Sequence, residues 1–596
     1  VGSADPDMTI LEVMEIALRH HQAGRLAEAE AIYRQVLAQV PEHSDAQHLL
    51  GAVALQTGRG RLAVELTGRA VSHDPCHPEY RNTHALALLG EGELNEAIEH
   101  HRRAVELEPA RPQYWMNLGN ALAEAFVLDE AAGCLRRAIE IRADYAEAWR
   151  GLGLVLLRQG RVPEAMNAYR AAVGHAPAAG HLHSAMLLAL HYDPELSPEE
   201  LFAEHVAWAR RYPECGTGRQ NPWAERSRIR IGYVSPDFRE HAAAFFIEPI
   251  LAGHDRDRFE VYCYGQVARP DAVTERLMAY GCHWRSTVAM GDAALAAMIR
   301  RDRINVLVDL AGHTAGNRLT VFPHRVAPVQ VTYLGYPNTT GLECIDYRIS
   351  DAHLDPPQVQ ELSSERIVRL DGTFACYRPA PDAPAVREPP TVRNGFITFG
   401  SFNSLAKLND RVVGLWARIL LAVPGSRLLL KTAALKDEPT RRLVAGRFER
   451  AGVSRQRLIL EADEPFREHL EAYGRMDIML DPFPFNGHTT SLHGQWMGVP
   501  MVALAGRSHA SRRGAMILRN MGMDDLIACD EDGYAQKAAE LAGHVERLGA
   551  LREGMRGRLA GSVLADAGRL VGALEEAYRR MLLGVAGTGG GSESLT

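Results

Sequence analysis

A single period governs the first third of the chain and fixes most of what it can fold into. A shift of 34 residues superimposes Gly24, Gly58, Gly92 and Gly160, with Phe126 in the remaining slot. The same shift aligns Ala29, Ala63, Ala97, Ala131 and Ala165, and it aligns Pro41, Pro75, Pro109 and Pro177, with Ala143 standing in once. Trp115 and Trp149 fall in register, as do Leu118 and Leu152, and Gly51, Gly119 and Gly153. Five consecutive units without an insertion define a repeat array. Within each unit apolar residues recur every three and four positions, glycine follows the first helical stretch and proline ends the second. Each unit therefore reads as two amphipathic helices, with small residues where the two must approach closely. The Trp and Leu positions read as core.

Residues 8–180 resemble the tetratricopeptide repeat on the W-x2-LG pattern of Trp115-Met-Asn-Leu118-Gly119 and Trp149-Arg-Gly-Leu152-Gly153. The resemblance implies a solenoid with a concave, protein-binding face, on which Asn82, Asn117 and Asn120 are candidate groove residues. Residues 1–7 are expected to be a tag remnant or disordered. The stretch 181–227, with Pro194, Pro198, Pro213, Gly216 and Gly218, reads as a helical linker.

From Arg228 the rhythm becomes strand and helix in alternation. Apolar runs at 229–234, 259–264, 304–310 and 329–334, with a helical pattern at 292–301, give one parallel sheet over 228–376. A proline-rich linker at 377–394 interrupts. Runs at 396–399, 427–430, 457–460, 477–480 and 500–504 give a second sheet over 395–585, and 586–596 is expected to be a flexible, disordered tail. Two doubly wound domains place ligands in the cleft at the carboxyl ends of their strands.

Composition narrows the function classes. Seventy-four acidic against 66 basic residues, a net charge of −8, argue against a chain-wide grip on nucleic acid. No apolar run reaches membrane-spanning length and no signal sequence is evident. Eight cysteines without a CxxC pair suit a reducing, cytoplasmic setting. There is no GxxxxGK(S/T), no dinucleotide fingerprint and no HExxH. The His20-His21 and His100-His101 pairs lie on repeat helices, where neighbours diverge by about 100°, so neither pair is expected to share a metal. Asp255-Arg-Asp257 has a metal-nucleotide form, but its place just before a strand reads as a solvated loop. No metal site is assigned.

Three segments leave strands carrying reactive side chains. Asp481-Pro-Phe-Pro-Phe-Asn486-Gly487-His488-Thr489-Thr490-Ser491 follows the strand at 477–480, makes a tight turn and opens a helix, an arrangement that binds anions. Three hydroxyls in series exceed what one helix cap needs. Gly400-Ser-Phe-Asn403-Ser404-Leu-Ala-Lys407 places at a strand end one of only four lysines in the chain, with Lys431, Lys436 and Lys537 the others. A lysine there can neutralise a departing diphosphate. In the first sheet, Ser235-Pro-Asp237-Phe-Arg-Glu-His241 puts a histidine on a strand-end loop, where it could serve as a base near pH 7 or simply face solvent. Asp237, His313, Tyr336 and Pro337 are further candidates to line the cleft.

Repeats followed by SPDF-x2-H, LGYPxTTG, FNxLxK and FNGHTT resemble, over nearly the whole chain, the O-linked N-acetylglucosamine transferase family and its SPINDLY-type relatives. The resemblance implies a tetratricopeptide solenoid followed by a GT-B fold, two Rossmann-like α/β domains around a cleft. It also implies inverting transfer from UDP-N-acetylglucosamine to Ser/Thr of proteins docked by the repeats, with no metal or other cofactor. By the same resemblance Lys407 matches the essential lysine, His241 the histidine proposed as base, and His469 the position beside the uracil. Asn486, Gly487, His488, Thr489, Thr490, Ser404 and His493 fall in the donor site. His493 stands where the family often has a ribose-binding acid, Ser404 replaces a Gln, and Phe466-Arg467 replaces a Lys-bearing stretch. These departures leave a GDP-fucose donor open as an alternative, and a nucleotide-binding repeat scaffold with little or no turnover is a separate alternative of another class.

Overall fold

The repeated glycine answers a local backbone demand. Gly24, Gly58, Gly92 and Gly160 all take positive φ, at 72°, 75°, 93° and 75°, as does Phe126 at 57° in the slot without glycine. A left-handed residue turns the chain between two antiparallel helices at no steric cost for glycine and at a small cost for any other residue. In this computed structural model, which describes residues 8–215 and 227–587, those turns join successive helix pairs. The pairs are Ile10–Gln22 with Leu26–Gln39, Ser44–Gln56 with Gly60–His73, Pro78–Glu91 with Leu94–Leu107, Pro112–Glu124 with Leu128–Ile141, and Ala146–Arg158 with Val162–His175. The expected remnant at 1–7, linker residues 216–226 and the tail from 588 lie outside the described residues.

The contacts divide the chain into two units, Val1–Val155 and Leu156–Thr596. In the first, a Cβ on Gly119 would lie 2.8 Å from Leu135 Cγ and one on Gly51 2.6 Å from Thr67 Cγ2, so these glycines set how closely paired helices pack. The core alternates Ala17, Ala29 and Ala46 with Tyr33, Leu50 and Val53. The register tryptophans are half-buried rather than core. Trp115 Nε1 donates to Pro109 O at 2.9 Å and Trp149 Nε1 to Ala143 O at 2.8 Å, clipping the loop before each helix. Asn117 Nδ2 donates to Asn82 Oδ1 at 2.8 Å, so two of the three groove asparagines are buried against each other.

The second unit adds helices Gly180–Leu190 and Pro198–Ala209 and then two parallel sheets. The first holds β1 (Ile229–Ser235), β2 (Phe259–Gly265), β3 (His283–Ser286), β4 (Val306–Asp309), β5 (Val329–Thr332), β6 (Tyr347–Asp351) and β7 (Arg366–Leu370), in the order β3-β2-β1-β4-β5-β6-β7. The second holds β8 (Thr398–Ser401), β9 (Arg427–Lys431), β10 (Leu458–Glu461), β11 (Ile478–Leu480), β12 (Met501–Leu504) and β13 (Ile527–Ala528), in the order β10-β9-β8-β11-β12-β13. The fold is thus helical repeats followed by two doubly wound α/β domains. Strands β3, β6, β7 and β13 are absent from the sequence reading. Each is short, and the first three carry arginines that blunt their apolar signal.

Three devices hold the second unit together. The C-terminal helix Ala567–Gly587 returns to the first sheet, where Tyr578 and Tyr233 hydroxyls lie 3.3 Å apart and Glu575 Oε1 accepts from His254 Nδ1 at 2.9 Å. Buried Asp355, between β6 and β7, meets His509 Nδ1 at 2.8 Å, Arg348 at 3.1 Å and Arg512 at 3.5 Å, tying the first domain to the loop after β12. Helices Gly180–Leu190 and Pro198–Ala209 dock through Tyr336, whose hydroxyl sits 3.1 Å from His191 Nε2 and 2.7 Å from His205 Nε2.

Candidate functional site

Both sheets reverse their strand order at one place, between β1 and β4 in the first and between β8 and β11 in the second. The loops leaving these strands diverge there and open a crevice. His241 follows β1, Lys407 follows β8, and the 481–491 segment follows β11.

The end formed by β8 and β11 is built around cations and donors. Lys407 Nζ donates to Asn403 Oδ1 at 2.9 Å and to Asn486 O at 3.0 Å, and it lies 4.8 Å over the Phe485 ring. Asn403 Oδ1 also accepts from Thr490 Oγ1 at 3.1 Å, so one hydrogen-bonded chain runs from the ammonium to the start of helix Thr489–Trp496. That helix has His488 at its N-cap and no side-chain hydrogen bond closing it. The hydroxyls of the sequence are thus not spent on capping. Gly487 N–H instead donates to Asp481 Oδ1 at 2.8 Å, and Ser491 Oγ lies 3.4 Å from the same oxygen. Asn486 is fully buried, its Nδ2 donating to Pro482 O at 2.8 Å and its Oδ1 accepting from Gly514 N at 3.2 Å. Burial lowers the Lys407 pKa to about 7 and raises that of Asp481, each held back by the other's charge.

His488 bridges the two domains. Its ring stacks on Phe246 at 4.3 Å and 8°, and faces Phe374 at 5.6 Å. Its Nε2 is buried with no partner among the described residues. Burial, with Arg513 nearby, keeps this imidazole neutral well below its ordinary pKa.

Beside this end lies a cavity of about 790 Å³ lined by residues of both domains, among them His241, Phe245, Phe466, His469, Thr489, Thr490 and His493. Its floor is aromatic: His493 meets Phe245 at 5.0 Å, Phe466 at 5.5 Å and His469 at 6.4 Å. Burial pushes the His493 pKa down to about 3 and lowers that of His469, so both rings are neutral at pH 7. The rim is charged, with the Glu248–Arg276 pair (2.9 Å), Arg378, Asp463 and Glu464. His241 is half-exposed; its Nδ1 accepts from Ala243 N at 3.2 Å and lies 3.5 Å from Asp237 Oδ1. Burial raises the Asp237 pKa and lowers that of His241, each opposed by the other's charge.

Several expected residues sit elsewhere. His313 follows β4, yet both its nitrogens are committed, Nδ1 3.0 Å from Ser184 Oγ and Nε2 2.9 Å from Thr340 O. It and Tyr336 are buried in the seam with the docking helices, and Pro337 is buried beside them; none lines the cavity. Gly312 shows why: at φ 54°, its Cα faces Tyr336 so closely that a Cβ would lie 2.2 Å from Tyr336 Cβ. Ser404 is exposed and caps the short turn 405–407 through Ala406 N at 3.4 Å. Asp237 is buried behind His241 rather than on the wall. Asp255 and Asp257 are exposed, in keeping with a solvated loop.

Asp481 and Lys431 stand out in the sequence without a role, and Arg513 does not stand out at all. Arg513 is buried, 5.8 Å over Phe485, with its Nε unpartnered among the described residues. It adds a second cation near Lys407, but in an arginine-rich chain nothing distinguishes it. Lys431 is fully buried at the end of β9 and pairs at 2.6 Å with Glu464 on the cavity rim. Its rarity as a lysine was the available signal.

Comparison with known proteins accords with this fold. Residues 204–377 and 385–572 match Glycosyl transferase family 41, and residues 20–87, 82–125 and 128–180 match tetratricopeptide repeats. Over 404 residues the chain is 41% identical to a protein named probable UDP-N-acetylglucosamine–peptide N-acetylglucosaminyltransferase SPINDLY from Solanum lycopersicum, covering 66% of this chain and 43% of that one. It is 31% identical over 365 residues to the Arabidopsis thaliana protein SEC, named as a probable enzyme of the same activity, covering 59% and 37%. The chain thus spans less than half the length of these plant relatives. A solved structure of a Thermobaculum terrenum O-GlcNAc transferase mutant superimposes with a TM-score of 0.82 at 35% identity, over 86% of this chain and 98% of that one. By the extent of the matched domain and the shared fold, the chain belongs to glycosyl transferase family 41.

Proposed function

We propose that this chain is a protein O-glycosyltransferase that moves N-acetylglucosamine from UDP-N-acetylglucosamine to Ser/Thr hydroxyls with inversion at the anomeric carbon. The observation that carries the reading is the linked anion site, in which Lys407, Asn403 and Thr490 form one hydrogen-bonded chain into an uncapped helix start. The names of the matched relatives supply the donor and acceptor classes.

In this reading the diphosphate sits at the start of helix Thr489–Trp496, among Lys407, Thr489 and Thr490, while the base enters the aromatic cavity beside His469 and His493. An acceptor hydroxyl oxygen attacks the anomeric carbon as the bond from that carbon to the diphosphate breaks. The hydroxyl proton passes to a base, and UDP departs with the bonding pair. The charge developing on the leaving diphosphate is met by the Lys407 ammonium and the positive end of the helix, the part a divalent cation plays elsewhere. Lys407 and the helix thus make a metal cofactor unnecessary.

His241 is the base nearest the cavity mouth. In the neutral ring, the Ala243 N–H donated to Nδ1 puts the proton on Nε2. To receive a proton at Nε2, the ring must turn its Nδ1–H toward Asp237, which gives that carboxylate an orienting task. The repeats present the acceptor protein. Eight free cysteines, including the close pair Cys263 and Cys282, fit a reducing cytoplasm.

Calorimetric titration with UDP and then GDP tests the donor assignment. Tighter binding of UDP supports it, a preference for GDP moves the donor to a fucosyl nucleotide, and failure of both to bind overturns the transferase reading.

A further inference from the structure

The third helix pair of the repeat array carries a cluster that sugar transfer leaves unused. His84 lies on Pro78–Glu91, and Glu96 and His100 lie on Leu94–Leu107. Each offers one ligand atom, and the three atoms lie within 4.8 Å of one another. Glu96 and His100 are one helical turn apart and project from the same face. The His84 ring comes across from the paired helix, its centre 4.7 Å from that of His100 and nearly perpendicular at 86°. We propose that His84, Glu96 and His100 bind a borderline divalent transition-metal ion, Zn2+ in the first instance, with a fourth position open to water.

The surroundings suit that role. Thr67 Oγ1 donates to Ala63 O at 2.7 Å and so offers its lone pairs to His84 Nδ1, 2.9 Å away. This puts the His84 proton on Nδ1 and leaves the Nε2 lone pair for an ion, the support a metal-binding histidine ordinarily receives. Gly68 lets the ring lie there, since a Cβ would come 3.2 Å from His84 Cε1. His84 is buried, His100 half-buried and Glu96 exposed, so the site has a dry floor and an open mouth. Burial lowers both imidazole pKa values, and the rings stay neutral at pH 7. His101 takes no part: it is buried elsewhere with both nitrogens unpartnered among the described residues. One group opposes the ion. The Arg81 guanidinium lies 3.4 Å from His100 Nδ1, with its Nε held by Pro75 O at 2.6 Å. An ion here would pin the two helices of one repeat and, through Thr67, the helix before them.

Zinc chloride titrated into the full chain, followed by calorimetry and by thermal melting, tests the site. The expected result is one site per chain that is weakened at least tenfold in His100→Ala and in Glu96→Gln and strengthened in Arg81→Ala, with a zinc-dependent rise in melting temperature that both weakened variants lose. Glu96 and His100 are accessible enough that circular dichroism should show both variants folded, and Co2+ should give tetrahedral absorption in the wild type alone. Zinc binding of equal affinity in both variants, or none in the wild type, overturns the proposal.

Discussion

Replacing Lys407 with methionine isolates its charge from its shape. The thioether chain keeps the stem packed over Phe485, 4.8 Å from the ammonium in the native protein, and removes the donor to Asn403 Oδ1 and Asn486 O. Stability should move little. Two hydrogen bonds from a charged donor are lost at about 1.5–3 kcal/mol each, but the variant also escapes the cost of burying an ammonium, a cost visible in a pKa lowered to about 7. Asn403 Oδ1 keeps Thr490 as a donor. Catalysis should suffer far more, because an electrostatic group aimed at transition-state charge is worth roughly 2.7–4 kcal/mol, or about 10²–10³ in kcat. The pH dependence carries a second signature. With its pKa depressed, Lys407 is charged below about 7 and loses that charge as the pH rises through this value, so UDP affinity in the wild type should weaken above neutrality. Lys407→Met should show weak binding without that slope. The assay is transfer of labelled N-acetylglucosamine to protein at saturating donor, with UDP calorimetry at pH 6, 7 and 8, each chosen around about one unit of the depressed pKa. Turnover within threefold of the wild type, or an unchanged pH slope, would refute the argument.

Asp237→Asn should lower kcat by about 10²-fold, at the low end for acid–base catalysis, while leaving KM within a few-fold; equal activity in steady-state assays would remove Asp237 as the partner that orients His241. The Asp355 latch should be sensitive to acid. Burial pushes its pKa up, but Arg348 and His509 hold the carboxyl well below its ordinary value, so its contribution is present above the unfolded pKa of about 3.9 and is lost as the pH falls below it. Asp355→Asn should therefore cost about 3–5 kcal/mol near pH 7, as expected for breaking a buried pair, with the gap to wild type closing toward pH 3, within about one unit below that unfolded value. A gap that stays constant across denaturant titrations in this range would show that the latch does not act through its charge.

Much of the protein is legible residue by residue because the determining physics is local. A left-handed turn demands glycine at the same place in each repeat, and Phe126 in the odd slot still adopts positive φ because the helices on either side require it. Strand ends leading into Asp481–Ser491 and Ser401–Lys407 are visible as apolar runs that stop at polar turns. Where a strand-end side chain points is another matter. His241 and His313 follow neighbouring strands in one sheet, yet one lines a cavity and the other hydrogen-bonds Ser184, because helices Gly180–Leu190 and Pro198–Ala209 cover one side of the crevice. Tyr336 is taken up between His191 and His205 for the same reason.

Residue type and spacing thus named the repeat, the alternation of strand and helix, and the lysine and hydroxyls that gather at the candidate anion site, since each follows from backbone conformation or local polarity. Packing over long separations settled the rest. Lys407 and Asp481 are 74 residues apart and adjust each other's protonation only because β8 and β11 are neighbours in the sheet. His84 reaches Glu96 and His100 only because a tight turn folds one helix back on the other. Charge and coordination depend on distance in space, and the packing of helices and strands sets that distance.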